Sequence, residues 1–363
     1  MKVLVAMSGG VDSSVAAALL KEAGHHVVGV TLRLWGGESD SGCCSVSDVD
    51  DARRVAQQLG IDHLVFNFSD DFQRTVVDPY VNDHAVGITP NPCIECNRHL
   101  KFDRLFERAD VLGFDAVATG HHARIEHVDG AWRLLRGHDA AKDQSYVVHM
   151  LDQDRLARCL FPVGTMTKAE VRDHAERLGL RTAHKPDSQD VCFITSSGGG
   201  RSDFLRRRIP LHAADVFDEK GQAIGKVDAV ELVTLGQRRG VAGGGGTKRF
   251  VVDVDVPGRR VVVGPYEASL VDSEVGVSPV WSNGPFEGEV AVQCSAHGEP
   301  RRARLQLVHG SGDDTTNSQV VVEWHERQRR VSPGQSLVFY DVNGGWVIGG
   351  ATTSDANVVA TTH

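Results

Sequence analysis

The stretch Ser8-Gly9-Gly10-Val11-Asp12-Ser13 decides the fold of this 363-residue chain. It follows the apolar run 2–7, which predicts a buried strand, and it leads into the Ala- and Leu-rich run 12–23, which predicts a helix. A Ser/Gly turn between strand and helix aims several backbone N–H groups at one point on the positive end of the helix. The turn therefore predicts a phosphate site, although it lacks the lysine of the GxxxxGK[ST] loop. The alternative is an ordinary turn in which Asp12 is the helix N-cap.

This segment resembles the pyrophosphate-binding loop of the ATP pyrophosphatase superfamily. Those enzymes cleave ATP between the α- and β-phosphates and transfer AMP to an oxygen of the substrate. The resemblance implies adenylation with ATP, without naming the acceptor. It leaves two roles open for Asp12, a Mg²⁺ ligand or a helix cap.

The first 200 residues alternate strand and helix patterns, which predicts an α/β fold with a doubly wound parallel sheet. Ligands of such sheets bind at the carboxyl ends of the strands. Thr119-Gly120-His121-His122 follows a later strand, so we expect it to face the same crevice as the turn. The predicted strands are 2–7, 26–34, 62–68 and 115–119, and the predicted helices are 12–23, 48–59, 71–84, 97–112 and 167–178.

The pattern changes after Ser196–Gly200, a linker that is flexible by composition. Short β-rich runs between Gly and Pro turns follow it, and from about residue 272 they predict a small antiparallel β barrel. We therefore expect three domains, a nucleotide-binding domain over 1–200, a small central domain over 201–271 and a C-terminal β barrel over 272–363. The tail 356–363 is expected to fray.

The composition predicts a soluble, cytoplasmic protein that begins at Met1, with no membrane span. Seven cysteines, two of them adjacent, fit no evenly paired disulfide scaffold. A net charge of −9 argues against non-specific coating of nucleic acid, but it leaves room for a local basic face. Basic side chains do cluster in the second half, at Arg206–Arg208, Arg238-Arg239, Lys248-Arg249, Arg259-Arg260 and Arg301-Arg302.

Three cysteines are candidates for chemistry. Cys93 and Cys96 lie three residues apart, ahead of a predicted helix that starts near Asn97, where the helix dipole would favour the thiolate of Cys96. Cys192 lies about a hundred residues later. The alternatives for these thiols are plain burial, a zinc site and a nucleophile pair of Cys96 with Cys192, and we favour the pair because no ribbon-like ligand spacing is present. We treat Cys43-Cys44, Cys159 and Cys294 as non-catalytic.

Several motifs carry a more specific resemblance, which spans nearly the whole chain. In order and spacing they are similar to those of the bacterial tRNA-specific 2-thiouridylases, which convert the wobble uridine U34 of certain tRNAs to 2-thiouridine. The motifs are AMSGGVDSS, TPNPCIECNRHLKF, ATGHHAR, KDQSY, KPDSQDVCFI, TLGQRRG and SPGQSLVFYD. The resemblance implies the same three-part architecture as the composition does.

The resemblance also implies roles for individual residues. Cys96 matches the nucleophile and Cys192 matches the cysteine that carries a persulfide. ATP, with Mg²⁺, would be bound by Ala6, Met7, Ser8, Gly9, Gly10, Val11, Asp12, Ser13, Leu32 and Gly120. The tRNA would be contacted by Asn91, Pro92, Cys93, His121, Lys142, Asp143, Gln144 and Gln335. No other metal is implied. Some members have an Asp with a proton-transfer role where Cys93 stands, and a thiol is a poorer substitute for that carboxylate.

The implied reaction adenylates the C2 oxygen of the uridine and then delivers sulfur, either as sulfide or by direct attack of the persulfide. Its partners would be a persulfide donor, such as a cysteine desulfurase or a relay protein, and the tRNAs for Lys, Glu and Gln. Two other functions stay open at this point. One is a synthetase of the same superfamily that adenylates a small molecule, and the other is a zinc-stabilised RNA-binding module without catalysis.

Overall fold

The computed structural model describes residues 1–35, 46–187, 191–194, 199–241, 248–308 and 319–354. Cys43-Cys44, the linker residues 196–198 and the tail 356–363 lie outside them. The chain forms two compact units. Unit 1 comprises Met1–Val77, Pro92–Arg201 and Gly345–Val347, and unit 2 comprises Asp78–Asn91, Ser202–Gly344 and Ile348–His363. The domain boundaries at 200 and 271 stay a prediction.

Unit 1 is built on the parallel sheet that the alternating pattern predicts, in the order β3-β2-β1-β4-β7. All four pairings are parallel, so the strands end at the same edge. An antiparallel hairpin, β5–β6, was not predicted, and Trp346 and Val347 pair with β6. The strands of unit 1 are β1 Lys2–Ala6, β2 His26–Arg33, β3 Asp62–Asn67, β4 Ala116–Ala118, β5 Ala123–Val128, β6 Ala131–Arg136 and β7 Cys159–Leu160.

Helices cover this sheet, and their small side chains let them pack closely on it. Val3 of β1 and Val15 of the first helix are fully buried in the core of unit 1. Among the described residues of both units, the α-helices are α1 Val11–Glu22, α2 Val46–Leu59, α3 Ser69–Phe72, α4 Asp78–Ala85, α5 Pro92–Cys96, α6 Leu105–Val111, α7 Gln153–Leu156, α8 Lys168–Arg177 and α9 Gly200–Arg206. Wider π turns occupy Gln73–Val77 and Asn97–Arg104, and 3₁₀ turns occupy Ser145–Val148, Pro162–Thr165, Val230–Leu232 and Tyr266–Ser269.

Unit 2 contains two β structures. A four-stranded sheet has the order β10-β11-β8-β9, and six antiparallel strands in the order β12-β15-β14-β13-β16-β17 close into a barrel because β12 also pairs with β17. The predicted C-terminal barrel is thus confirmed. The strands are β8 Ala214–Phe217, β9 Ala223–Val227, β10 Phe250–Asp255, β11 Arg260–Gly264, β12 Leu270–Trp281, β13 Gly288–Gln293, β14 Arg301–Val308, β15 Gln319–Arg329, β16 Ser336–Asp341 and β17 Trp346–Thr353, of which Trp346 and Val347 belong to unit 1.

Within the described residues, no helix is both long enough and apolar enough to cross a membrane.

Candidate active site

The Ser/Gly turn lies between β1 and α1, as predicted. Gly10, in an extended conformation, is the N-cap of α1, and no side chain caps the helix. The cap interpretation of Asp12 is therefore wrong, because Asp12 lies within the first turn of α1. Ser13 Oγ accepts a hydrogen bond from Ser8 N at 3.2 Å and shapes the turn from inside. The helix thus presents N–H groups that no side chain caps, the arrangement that binds phosphate oxygens.

Two glycines make this turn possible. Gly9 has a φ of +74°, and a Cβ on it would lie 2.4 Å from the Asp48 carbonyl oxygen. Gly120, just beyond β4, packs so closely on the start of α1 that a Cβ would lie 2.6 Å from Ser13 N. The predicted ATP residues that follow β1 and β4 therefore do come together. A side chain at either position would collide with the backbone of the neighbouring segment, so both glycines are needed to hold the turn against the start of α1 and α2.

A lysine that the sequence did not single out lies beside the turn. Lys168 Nζ donates to both carboxylate oxygens of Asp12, at 2.8 and 2.7 Å. His122 Nε2 lies 3.0 Å from Asp12 Oδ1, and the His122 ring is buried. Burial opposes ionisation of Asp12, yet the hydrogen bonds with His122 and Lys168 outweigh it and lower the pKa of Asp12.

Asp187 is a second carboxylate that contacts Lys168, and we call Asp12, His122, Lys168, Asp187 and Lys142 the charge cluster. Its carboxylate lies 2.9 Å from each of Lys168 Nζ, Lys142 Nζ and Arg172 Nη2. Burial works against the charged form, but hydrogen bonds from Lys168 and Lys142 lower the pKa of Asp187 to about 2. Lys168 thus bridges Asp12 of the turn to Asp187, and Asp187 holds the predicted tRNA contact Lys142.

The low pKa of Asp187 predicts a pH-dependent contribution to stability. Since the pKa is below its ordinary value of 3.8, we expect the contribution to be complete above that value and to be lost as the pH falls toward about 2. The check is urea unfolding of the native chain and Asp187→Asn at about pH 6 and about pH 3, where the difference in midpoint should shrink at the lower pH. A difference of equal size at both pH values would contradict the assignment.

A second lysine, Lys185, links the turn to α2. Lys185 Nζ donates to Gly9 O at 3.1 Å and to carboxylates of Asp48 and Asp51 at 2.6 and 2.8 Å. Burial disfavours its charge, but these two acidic partners raise the pKa of Lys185 overall. The motif KPDSQD contains both Lys185 and Asp187, so the motif carried a signal for this role that sequence reasoning did not use.

The cysteines differ in their environments. The helix that carries Cys96 begins at Pro92 and not near Asn97, so the predicted placement of Cys96 at a helix N-terminus is wrong. Proline is favoured at the first helical position, and this was the missed signal. Cys96 is buried, Cys93 is exposed and Cys192 is half-buried.

Two further thiols are held in their protonated form by burial. Burial raises the pKa of the Cys159 thiol well above its ordinary value. Burial, together with the nearby carboxylate of Glu274, raises the pKa of Cys294 to about 12. Because the thiolate is the nucleophilic form, both environments fit the treatment of these cysteines as non-catalytic.

The zinc interpretation gains no support. Across the residues that the structure describes, no group of three or more His, Cys, Asp or Glu side chains could hold a metal ion.

Two of the predicted tRNA contacts of unit 1, His121 and Gln144, lie in or against the His121-His122 segment, and Asp143 precedes Gln144 in the chain. The ring of His121 is buried beside Phe102 and Phe161, and this burial holds the pKa of His121 well below its ordinary value. Gln144 Oε1 accepts a hydrogen bond from His122 N at 2.9 Å. Asp143 accepts hydrogen bonds from Arg136, Gly137 and Ser145, with both oxygens engaged.

Unit 2 brings together two predicted tRNA segments that are far apart in sequence. Gln335 Nε2 donates to Thr89 O, and Thr89 N donates to Pro333 O at 2.9 Å. Gly334 has a φ of +87°, and a Cβ there would lie 3.2 Å from Pro90 N. Thr89 and Pro90 thus contact the segment Pro333–Gln335, and Asn91 is the next residue in the chain after Pro90.

Comparison with known proteins places the domains of this chain in a class. A family model described as the tRNA methyl transferase HUP domain matches residues 1–196, and one described as an aminomethyltransferase beta-barrel domain matches residues 279–353. The fold is thus a HUP-type nucleotide-binding domain followed by a β barrel.

Full-length relatives give the family. The chain is 44% identical to tRNA-specific 2-thiouridylase MnmA of Roseiflexus castenholzii, over 96% of this chain and 98% of that protein. It is 45% identical to the protein of that name from Cutibacterium acnes, over 97% and 96%. The chain therefore belongs to the family of tRNA-specific 2-thiouridylases, as its motifs predicted.

Two solved structures resemble this chain more distantly. A 4-thiouridine synthetase–RNA complex with bound ATP is 19% identical, with a TM-score of 0.36, over 53% of this chain and 44% of that one. NMN synthetase from Francisella tularensis is 18% identical, with a TM-score of 0.32, over 52% and 66%. Likenesses at these TM-scores carry no functional argument.

Proposed function

We propose that the protein uses ATP to convert the wobble uridine U34 of tRNA to 2-thiouridine. The observation that carries the proposal is the uncapped Ser8–Ser13 turn, with Gly120 packed against it, in a chain that also holds Cys96 and Cys192 in the same unit. The family membership supports the acceptor, because the turn alone implies adenylation of an unspecified oxygen. The small-molecule synthetase leaves both cysteines without a role.

The chemistry explains why ATP is needed. The C2 carbonyl of uridine is a weak electrophile, and its oxygen is a very poor leaving group. Transfer of AMP to this oxygen gives a good leaving group, and the N–H groups of the turn would hold the departing pyrophosphate. The ammonium of Lys168 lies 2.7 Å from Asp12, which is in the first turn of α1, so Lys168 would also offset charge on phosphates bound at the start of that helix.

Mg²⁺ would enter with the phosphates of ATP and neutralise part of their charge. Asp12 is the carboxylate of the turn that fits such an ion, since it is partly exposed and is held by the ammonium of Lys168 and the ring of His122. Lys168 would then give up part of its contact with Asp12 and keep its contact with Asp187.

Sulfur would arrive as a persulfide on Cys192. In one route the Cys96 thiolate attacks the inner sulfur of Cys192, which releases sulfide toward C2 and leaves a Cys96–Cys192 disulfide. In the other route the terminal sulfur of the persulfide attacks C2 with loss of AMP, and Cys96 then attacks the Cys192 sulfur and frees the thiolated base. Both routes end in the same disulfide, which an external thiol must reduce before the next turnover.

The residues predicted to contact RNA differ in exposure. Cys93 is exposed, and the Lys142 ammonium is partly exposed although it pairs with Asp187, so we propose that these two meet RNA. Asn91, Pro92, His121 and Gln335 remain predicted contacts, but the His121 ring is buried and Gln335 already donates to Thr89 O. Asp143 and Gln144 are already engaged with backbone donors of their own unit, so we assign them to ordering this segment. U34 would leave its stack to reach the site. We further propose a persulfide donor protein, tRNAs for Lys, Glu and Gln, and a cytoplasmic location.

The proposal is tested by thiolation of an unmodified U34 transcript with Mg-ATP and a persulfide donor, read by retardation in a mercury-containing gel. We expect a retarded band that needs ATP and U34, and none with a U34→C transcript. Cleavage of ATP that ignores tRNA but rises with an amino acceptor would favour the small-molecule synthetase.

A second surface should bind the RNA backbone. In the motif TLGQRRG, Gln237 accepts a hydrogen bond from Thr234 N at 3.1 Å and donates one to Arg239 O at 2.7 Å. Arg238 and Arg239 are exposed on this ordered loop. We expect the double variant Arg238→Ala, Arg239→Ala to bind tRNA more weakly. We also expect the slope of the logarithm of the binding constant against the logarithm of the salt concentration to become shallower by about one for each phosphate contact that is lost.

The matched control for these arginines is Lys226→Ala, which removes an exposed positive charge from β9 of the same unit. Its salt slope should equal that of the native chain. An unchanged slope in the double arginine variant would remove both arginines from the interface.

A further inference from the structure

We propose that Phe193 is a positioning residue that anchors Cys192 at the carboxyl edge of the parallel sheet, by packing with Trp35 and Phe72. The inference rests on the proposed function, in which Cys192 carries the sulfur. It assigns a task to an apolar side chain that takes no part in the chemistry itself.

The three rings form one cluster. Phe193 is 3% exposed, and its ring centroid lies 5.6 Å from that of Phe72 in an edge-on arrangement and 6.1 Å from that of Trp35. Trp35 and Phe72 contact each other as well, at 6.2 Å. Aromatic contacts of this geometry stabilise beyond the area that they bury. The residue after Cys192 is therefore fixed by two rings from separate elements.

The positions of those elements determine where Cys192 lies. Trp35 follows the carboxyl end of β2, and Phe72 ends α3, which follows the carboxyl end of β3. The Ser8–Ser13 turn follows the carboxyl end of β1, which is the neighbour of β2 in the sheet. Adjacent strands are about 4.8 Å apart. The aromatic cluster thus holds Cys192 at the edge where the turn would bind ATP.

This placement matters because sulfur exchange depends on how often two sulfur atoms meet. Cys96 is buried on α5, so it has little freedom to follow a displaced partner. If Phe193 loses its ring contacts, Cys192 samples a larger volume, and its effective concentration at Cys96 falls. Adenylation, which uses the turn, should be much less affected.

The test measures that effective concentration directly. Native protein, Phe193→Leu, Phe193→Tyr and the control Phe68→Leu are equilibrated in glutathione redox buffers, and the Cys96–Cys192 linkage is quantified by peptide mapping. In this exchange the two protein thiols are oxidised to one disulfide, while one glutathione disulfide is reduced to two thiols. Phe68 is a similarly buried ring of the same unit that packs on Phe66 instead.

We expect Phe193→Leu to lower the effective concentration about tenfold or more and to slow sulfur transfer, while ATP–pyrophosphate exchange stays within about threefold. Phe193→Tyr keeps the ring, so its effective concentration and its rate of sulfur transfer should be close to those of the native protein. Phe68→Leu should equal the native protein in the same two quantities. Suppose that the native protein thiolates tRNA and forms the Cys96–Cys192 disulfide, and that Phe193→Leu has the same effective concentration as the native protein. That result would contradict the positioning role of Phe193 and leave the proposed function intact. Native protein that does neither would overturn the proposed function instead.

Discussion

Replacement of Cys192 by Ser should abolish tRNA thiolation while ATP-dependent adenylation continues. A hydroxyl cannot carry a persulfide, so the loss should reach at least about 10³-fold, as it does when an enzyme loses its nucleophile. The Ser8–Ser13 turn that would bind ATP belongs to other elements, so we expect the substitution to leave it unaffected. The measurement pairs a mercury-gel thiolation assay with ATP–pyrophosphate exchange in the presence of tRNA.

Cys294→Ser is the matched control, because this thiol lies in unit 2 and burial keeps it protonated. It should leave both activities unchanged. Loss of adenylation together with thiolation in Cys192→Ser would point to a structural role for the thiol, and full thiolation would exclude it as the sulfur carrier.

Lys168→Met should have the second largest effect, at the adenylation step. The substitution leaves the carboxylates of Asp12 and Asp187 without the ammonium that bridges them, next to the place where a polyphosphate would bring further negative charge. Uncompensated charge of this kind is costly when it is partly buried. We expect kcat/KM for ATP to fall by about 100-fold or more, with tRNA affinity reduced far less.

Lys168→Arg is the informative companion, because it keeps the charge but changes its shape. It should recover part of the lost rate. Met and Arg variants with the same ATP kinetics as the native chain would show that Lys168 serves the fold alone, provided that both variants melt at the native temperature.

Local sequence signals predicted those parts of the fold that depend on neighbours in the chain. The strand before Ser8 and the helix after Gly10 follow from an apolar run, a Gly turn and an Ala-rich run, and the structure has all three. The parallel sheet follows from the alternation of such runs. The start of α5 at Pro92 was predictable too, but the helix pattern after Asn97 is more conspicuous than the single proline.

The charge cluster was beyond such signals. Asp12 and Lys168 are 156 residues apart, and Lys142 and Asp187 are 45 apart, so nothing local indicates that they meet. Family motifs identified Asp12 and Lys142 separately, as contacts of two different ligands. Only the folded chain connects them through Lys168 and Asp187, two side chains to which the motifs assigned no ligand.

The interleaving of the two units along the chain has a consequence for synthesis of the protein. Trp346 and Val347, which pair with β6, are the last residues to join unit 1, and they follow almost the entire sequence of unit 2. A ribosome must therefore have made the chain through Val347 before the nucleotide-binding unit has all of its residues. Nascent chains that stop near residue 201 would emerge with an unpaired edge on β6, an exposed site for chaperones or for aggregation.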